Sequence, residues 1–98
     1  MRTWRLTTTA AANLQDVYDY IAERDGMRRA DRVLAEFRDA LTRLGDMPGI
    51  GHHHPDLEDP NLRVWTVHSW HVIYDPRTSP ITILRIHSAY RRSVREED

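Results

Sequence analysis

Three β-rich runs crowd into the last third of the chain, at residues 63–67, 70–74 and 81–87, and they constrain the fold more than any other feature. Each is dense in Val, Ile, Thr, Trp or Tyr, the residues that suit a pleated, half-buried surface. The links between them are short: His68-Ser69, then residues 76–80 with a proline at each end. A parallel pair needs a crossover of about a dozen residues, so links this short impose an antiparallel meander. Pro76 and Pro80 cannot donate to a ladder and belong in the hairpin loop. Directly after the third run come Tyr90, Arg91, Arg92 and Arg95, so the sheet runs out into a cationic patch.

The first half has a helical period. Leu14, Val17, Tyr18 and Ile21 recur at i, i+3, i+4 and i+7, and Thr7, Thr8 and Thr9 offer N-cap hydroxyls ahead of them. Asp25-Gly26 breaks the pattern as a turn. A second stripe follows through Ala30, Val33, Leu34, Phe37, Ala40, Leu41 and Leu44. Gly45 suits the position just past its end, and Pro48 blocks continuation. Helices are therefore expected near residues 10–24 and 28–45, folded into an antiparallel hairpin whose apolar face needs the sheet as cover. Residues 2–7 read as a short first strand at one sheet edge. The expectation is one α+β domain over residues 1–98: an N-terminal strand, a helix hairpin and a three-stranded antiparallel meander.

If both sheet hairpins close symmetrically, one face gathers Leu62, Val64, Thr66, His71, Ile73, Leu84 and Ile86. The other gathers Arg63, Trp65, Val67, Trp70, Val72, Tyr74, Ile81, Ile83, Arg85 and His87. The first carries no formal charge and is expected to pack on the helices. The second is then an open aromatic-and-arginine surface, which points to a partner. A one-residue slip or bulge would exchange them.

Composition removes several chemistries. With no cysteine there is no disulfide, thiol nucleophile or Cys-based zinc site. No secretory h-region or membrane-length apolar window is visible, which gives the cytoplasm as the expected address. All 14 basic residues are arginine; this fits a GC-rich coding bias as well as bidentate anion recognition. Net charge is −1, yet residues 81–95 hold Arg85, Arg91, Arg92 and Arg95 without an acid, so electrostatic recognition would be local. His52-His53-His54 lies in a Pro/Gly-bearing loop spanning residues 47–61. Adjacent side chains diverge and lack carboxylate or Cys support at ligand spacing, so a solvated run is expected, with no metal and no cofactor.

The order strand, helix, helix, meander, basic end resembles the RelE/ParE superfamily of type II toxin–antitoxin toxins over essentially the whole chain. Thr9-Ala10 leading into residues 13–17 looks like the family's opening helix, and Tyr20-Ile21-Ala22 like that helix's end. Leu44 through Met47-Pro48 to Gly51 is similar to its helix exit. Leu62-Arg63, residues 70–74 and residues 84–87 resemble its sheet. The resemblance implies one of two activities. RelE-type members cut mRNA on the ribosome with basic phosphate clamps and acid–base side chains; ParE-type members share the fold and poison DNA gyrase.

Three departures favour the ParE-like branch. Position 71 is His where nucleases tend to have Arg, lysine is absent, and the end of the chain lacks a terminal Tyr or His. The resemblance then implies a gyrase-inhibiting toxin without catalytic residues, held in a hetero-oligomer by a cognate antitoxin. Its target-binding candidates are Arg85, His87, Tyr90, Arg91 and Arg92. Arg63, Trp65, Trp70 and Arg85 are the candidates for antitoxin contact, since Trp beside Arg makes a good hot spot. The alternatives are a metal-independent, ribosome-dependent endoribonuclease using His71, His87, Tyr90 and Arg91, and a non-toxic binding module of the same fold.

Overall fold

The computed structural model describes residues 2–89. Tyr90, Arg91, Arg92 and Arg95 lie outside the described residues. The chain runs through β1 (Trp4–Leu6), α1 (Thr8–Asp25), α2 (Met27–Asp46), a 3-10 turn (Pro48–Ile50), β2 (Arg63–Val67), β3 (Trp70–Asp75) and β4 (Ile81–Ser88). The four strands form one sheet in the order β1-β4-β3-β2. The meander is antiparallel as expected, and β1 adds to its edge parallel to β4, with Trp4 opposite Ile81.

Local chemistry explains the element ends. Thr7 caps α1, its Oγ1 accepting the Ala10 N–H at 3.0 Å. Gly26, at φ 94°, is the whole joint between the helices; a side chain there would be strained in the left-handed region. The expected end of α2 is too early. Gly45 lies inside the helix, which continues to Asp46. Close packing explains the glycine instead: a Cβ at 45 would fall 2.2 Å from Thr3 Oγ1 and 2.8 Å from the Thr3 carbonyl oxygen. Thus α2 presses against the chain entering β1.

Which sheet face meets the helices differs from expectation. Val67, Val72, Tyr74, Ile81, Ile83 and Ile86 join Phe37, Leu41 and Leu44 in the main core, with Trp65 and Trp70 packed on it. The opposite face carries a smaller cluster, Val64 and Ile73 with Leu57, Leu62 and Leu84. Two causes produce this outcome. The Trp and Tyr rings carry the larger apolar area, so burying them against the helices wins. The β3–β4 pairing also shifts: Ile73 faces Arg85 but Tyr74 faces Ile83, leaving Leu84 as an extra residue on β4. That bulge turns Ile86 to the helix side and sends Arg85 and His87 to the other face, away from the tryptophans.

The bulge is secured from α1. The Thr7 hydroxyl donates to the Leu84 carbonyl at 2.7 Å, and the Ile86 N–H donates to Asn13 Oδ1 at 3.0 Å. Where β1 stops, two side chains therefore continue the pairing of the β4 edge. At the other edge His52 forms an isolated bridge with Val64, through N–H···O contacts of 2.9 and 2.8 Å. The 47–61 stretch is thus laid along β2 and folded under the sheet through Leu57.

Candidate functional site

The back face of the sheet, opposite the helices, collects the histidines. His71 pairs with His87 across β3 and β4, and their ring centroids lie 6.3 Å apart, edge to face. On the other side of His71, His54 from the loop stands at the same 6.3 Å spacing. The three imidazoles form a row across loop, β3 and β4. The Asp56 N–H donates to His54 Nδ1 at 3.1 Å, so that nitrogen carries no proton and His54 offers its Nε2 side outward. Thr66 Oγ1 lies 3.2 Å from His71 Nδ1. All three rings are half-buried, and the ring nitrogens of His87 and Nε of Arg85 are shielded from solvent.

Burial holds the His71 pKa below the ordinary imidazole value, and positive charge on His87 or His54 would lower it further. At neutral pH His71 is therefore a neutral ring. Edge-to-face rings at this spacing do not converge on one point, and no group of three or more His, Asp or Glu among the described residues is arranged to hold a metal ion.

Sequence reasoning placed His71 and His87 on opposite faces and left His54 in a solvated run. The bulge at Leu84 reversed the first placement. His52 and His53 are exposed, but the triplet is anchored: His52 stacks on Trp65 at 6.0 Å and His54 turns onto the sheet. The missed signal is local. A run beside a β-edge can pair with it, as His52 does with Val64, and that pairing fixes the run against the sheet.

The other nominated residues are dispersed. Arg63 turns to the helix side, donating to the carbonyls of Gly51 at 2.8 Å and Gly49 at 3.3 Å, beside Tyr74. Its geometry is that of a structural clamp. Trp65 is half-buried on the helix-packed side, so the expected open Trp–Arg face does not form.

Trp70 sits at the rim of that side, 6.1 Å from Phe37 and 6.4 Å from Tyr20 in an edge contact. Tyr20 is 50% exposed and has the Arg24 guanidinium 5.3 Å over its ring. Tyr20, Arg24 and Trp70 thus make a small aromatic–arginine patch that the sequence reading missed. Its signal was the i, i+4 spacing of Tyr20 and Arg24 on the outer side of α1. Between the helices, Leu14, Val17, Tyr18, Ile21, Val33 and Phe37 line a seam that their own side chains fill.

No helix among the described residues is long and apolar enough to cross a membrane. Residues 4–92 match the family profile described as ParE toxin of type II toxin-antitoxin system, parDE. A curated relative, Toxin ParE3 of Caulobacter vibrioides, is 30% identical over 80 residues, covering 82% of this chain and 79% of the relative. Among solved structures, a chain of the chromosomal ParDE TA system from P. aeruginosa superposes with a TM-score of 0.74 at 24% identity. That match covers 90% of this chain and 96% of the other. The strand–hairpin–meander architecture is therefore the fold of that protein as well.

Proposed function

The chain belongs to the ParE toxin family of type II toxin–antitoxin systems, and from that premise we propose that it arrests growth by binding DNA gyrase, in the cytoplasm, until a cognate antitoxin neutralises it in a hetero-oligomeric complex. The observation that carries the proposal is the family match across residues 4–92, which spans the sheet and the start of the basic segment. A gyrase poison needs a binding surface and no acid–base pair. Arg85, His87, Tyr90, Arg91 and Arg92 are the residues assigned to that surface. They follow one another along β4 and beyond it, where a local excess of guanidinium groups suits an acidic partner. For the antitoxin, the Trp70–Tyr20–Arg24 patch offers the residue types that dominate interface energetics. It replaces the Trp65–Arg63 surface expected from sequence.

One observation favours a second reading, the ribosome-dependent endoribonuclease. His71 and His87 stand on one face, and His71 is held neutral, as a general base must be. A single experiment separates the readings. Induced expression should convert plasmid topology and trap gyrase on DNA, with mRNA left intact in the same cells. Codon-phased mRNA cuts that vanish in His71→Gln or His87→Gln would establish the nuclease and reject gyrase as the target.

A further inference from the structure

The loop ahead of β2 contains a short repeat that neither toxin reading uses. Residues 54–57 read His-Pro-Asp-Leu and residues 59–62 read Asp-Pro-Asn-Leu. Each forms a tight turn with proline at its second place, where a fixed φ favours turning. The Leu57 N–H donates to the His54 carbonyl and the Leu62 N–H to the Asp59 carbonyl, both at 3.1 Å. The side chain that opens each turn is locked in the same way. His54 Nδ1 accepts the Asp56 N–H at 3.1 Å, and Asp59 Oδ1 accepts the Asn61 N–H at 2.9 Å. The leucine that closes each turn packs on Val64 and Ile73 at the back of the sheet. Both walls of the space between the turns are thus fixed before anything binds there.

That space is a cleft of about 360 Å³, open to solvent. Pro55, Leu57, Pro60 and Leu62 give it apolar walls; His53, His54 and Asp59 supply its polar groups, and Asp59 is its one carboxylate. Apolar walls with a few fixed polar groups are the usual make-up of a ligand site. Asp59 decides what fits. Its side chain is 42% exposed, and the hydrogen bond from the Asn61 backbone holds its pKa below the usual carboxylate range. Oδ1 is filled by the Asn61 N–H and the Asn61 side-chain amide, whereas Oδ2 takes only Arg77 among the described residues, at 3.2 Å. An ionised carboxylate has about four acceptor positions, so Oδ2 keeps one to offer. Arg77 does not cancel the charge, because Asp75 holds the same guanidinium through two contacts. Those three side chains carry one negative charge in excess, and exposed Glu58 adds another. Asp56 and Arg85 offset each other in this balance, and Arg63 turns to the other face, onto the Gly51 carbonyl.

We infer that the cleft between the paired proline turns is a docking pocket for an arginine side chain of a partner protein. A purely apolar occupant would cover the Asp59 carboxylate without compensating it. A phosphate or an acidic side chain would be repelled by it. An arginine meets both demands: its aliphatic stem lies along the proline and leucine walls, and its guanidinium donates to Oδ2. The planar guanidinium also stacks on an imidazole such as His54, which a lysine ammonium cannot do. None of the lining residues belongs to the set assigned to gyrase or to the Trp70–Tyr20–Arg24 patch. The pocket therefore stands or falls independently of those two contacts.

The test titrates the intact, isotope-labelled chain with an acetyl-Gly-Arg-Gly amide peptide. Parallel arms carry citrulline, the uncharged isostere, or glutamate in place of the arginine. Backbone amide shifts should move and saturate within residues 54–62, and the citrulline peptide should bind about tenfold or more weakly, the size expected for a hydrogen bond to a charged group. Asp59→Asn, which keeps the shape of the side chain, should bring the arginine peptide down to the citrulline level. If Asp59→Asn lowers the melting midpoint, exposed His53→Ala carries the readout instead and should weaken binding by trimming one wall. Equal binding of the three peptides, shifts centred on Asp16 and Asp19 of α1, or unchanged affinity in the folded variant would overturn the pocket. Self-association of the chain alone that Asp59→Asn abolishes would assign the cleft to a second copy and overturn the partner.

Discussion

At the scale of single residues, Tyr74 has the most demanding position. Its ring is fully buried, yet its hydroxyl sits between two backbone groups of the 3-10 turn. It accepts the Gly51 N–H at 2.9 Å and donates to the Pro48 carbonyl at 2.7 Å. Burial raises its pKa above the usual phenol range, which keeps the donor proton in place. Tyr74→Phe keeps the ring and orphans both backbone groups, so a loss of about 1–3 kcal/mol is expected in urea melts. A loss below about 0.5 kcal/mol would mean that water replaces the hydroxyl without cost. His71 makes the complementary case in pH. Its folded pKa lies below its ordinary value of 6.5, so below that pH the unfolded chain binds the proton more readily. Stability should therefore fall as pH drops through 6.5, and level off once the pH is below the folded value. The slope of melting midpoint against pH should shrink in His71→Gln; an unchanged slope would assign the acid sensitivity elsewhere.

At the scale of elements, α2 shows how a local rule is overridden by a neighbour. Gly45 looked like a helix terminator, and by propensity Gly45→Ala in a helix interior should stabilise by about 1 kcal/mol. The structure reverses the sign, because the new methyl would meet the Thr3 side chain and carbonyl oxygen at 2.2–2.8 Å. Destabilisation of about 1–3 kcal/mol is expected, with loss of hydrogen-exchange protection at Ile81, whose N–H donates to the Thr3 carbonyl. Equal or greater stability would show that β1 can move aside freely. The same contrast explains what was legible beforehand. Helix stripes, the Asp25-Gly26 turn and the order of the strands are written in local periodicity and short links, and all appear. The face of the sheet turned on one unpaired residue, Leu84. Its bulge is held by Thr7 and Asn13, more than 70 positions away in sequence. No window of sequence contains that interaction, so Arg85 and His87 were grouped with the tryptophans instead of with His71, and the histidine row stayed hidden.

At the scale of the whole molecule, the two buried clusters and the basic segment occupy different stretches of the sequence. Every residue of the two buried clusters lies between Trp4 and Ile86, and the Ala89 N–H closes the meander onto the Ser69 carbonyl at 2.6 Å. Arg91 and Arg92 lie outside the described residues, beyond that closure in sequence. With a total charge of −1, the molecule draws its cationic character for a target from residues 81–95. Reversing both charges with Arg91→Glu and Arg92→Glu should leave the melting midpoint within about 2 °C of the parent, the size of shift typical of surface changes. Gyrase binding should weaken on the order of tenfold or more, and growth arrest on induction should be lost, because two attractive contacts become repulsive. Raising ionic strength should mimic part of the effect on the parent protein and little on the variant. If the variant folds, still binds gyrase with parental affinity and still arrests growth, the arginines are not the contact. Recognition would then have to come from the described sheet face around Arg85 and His87.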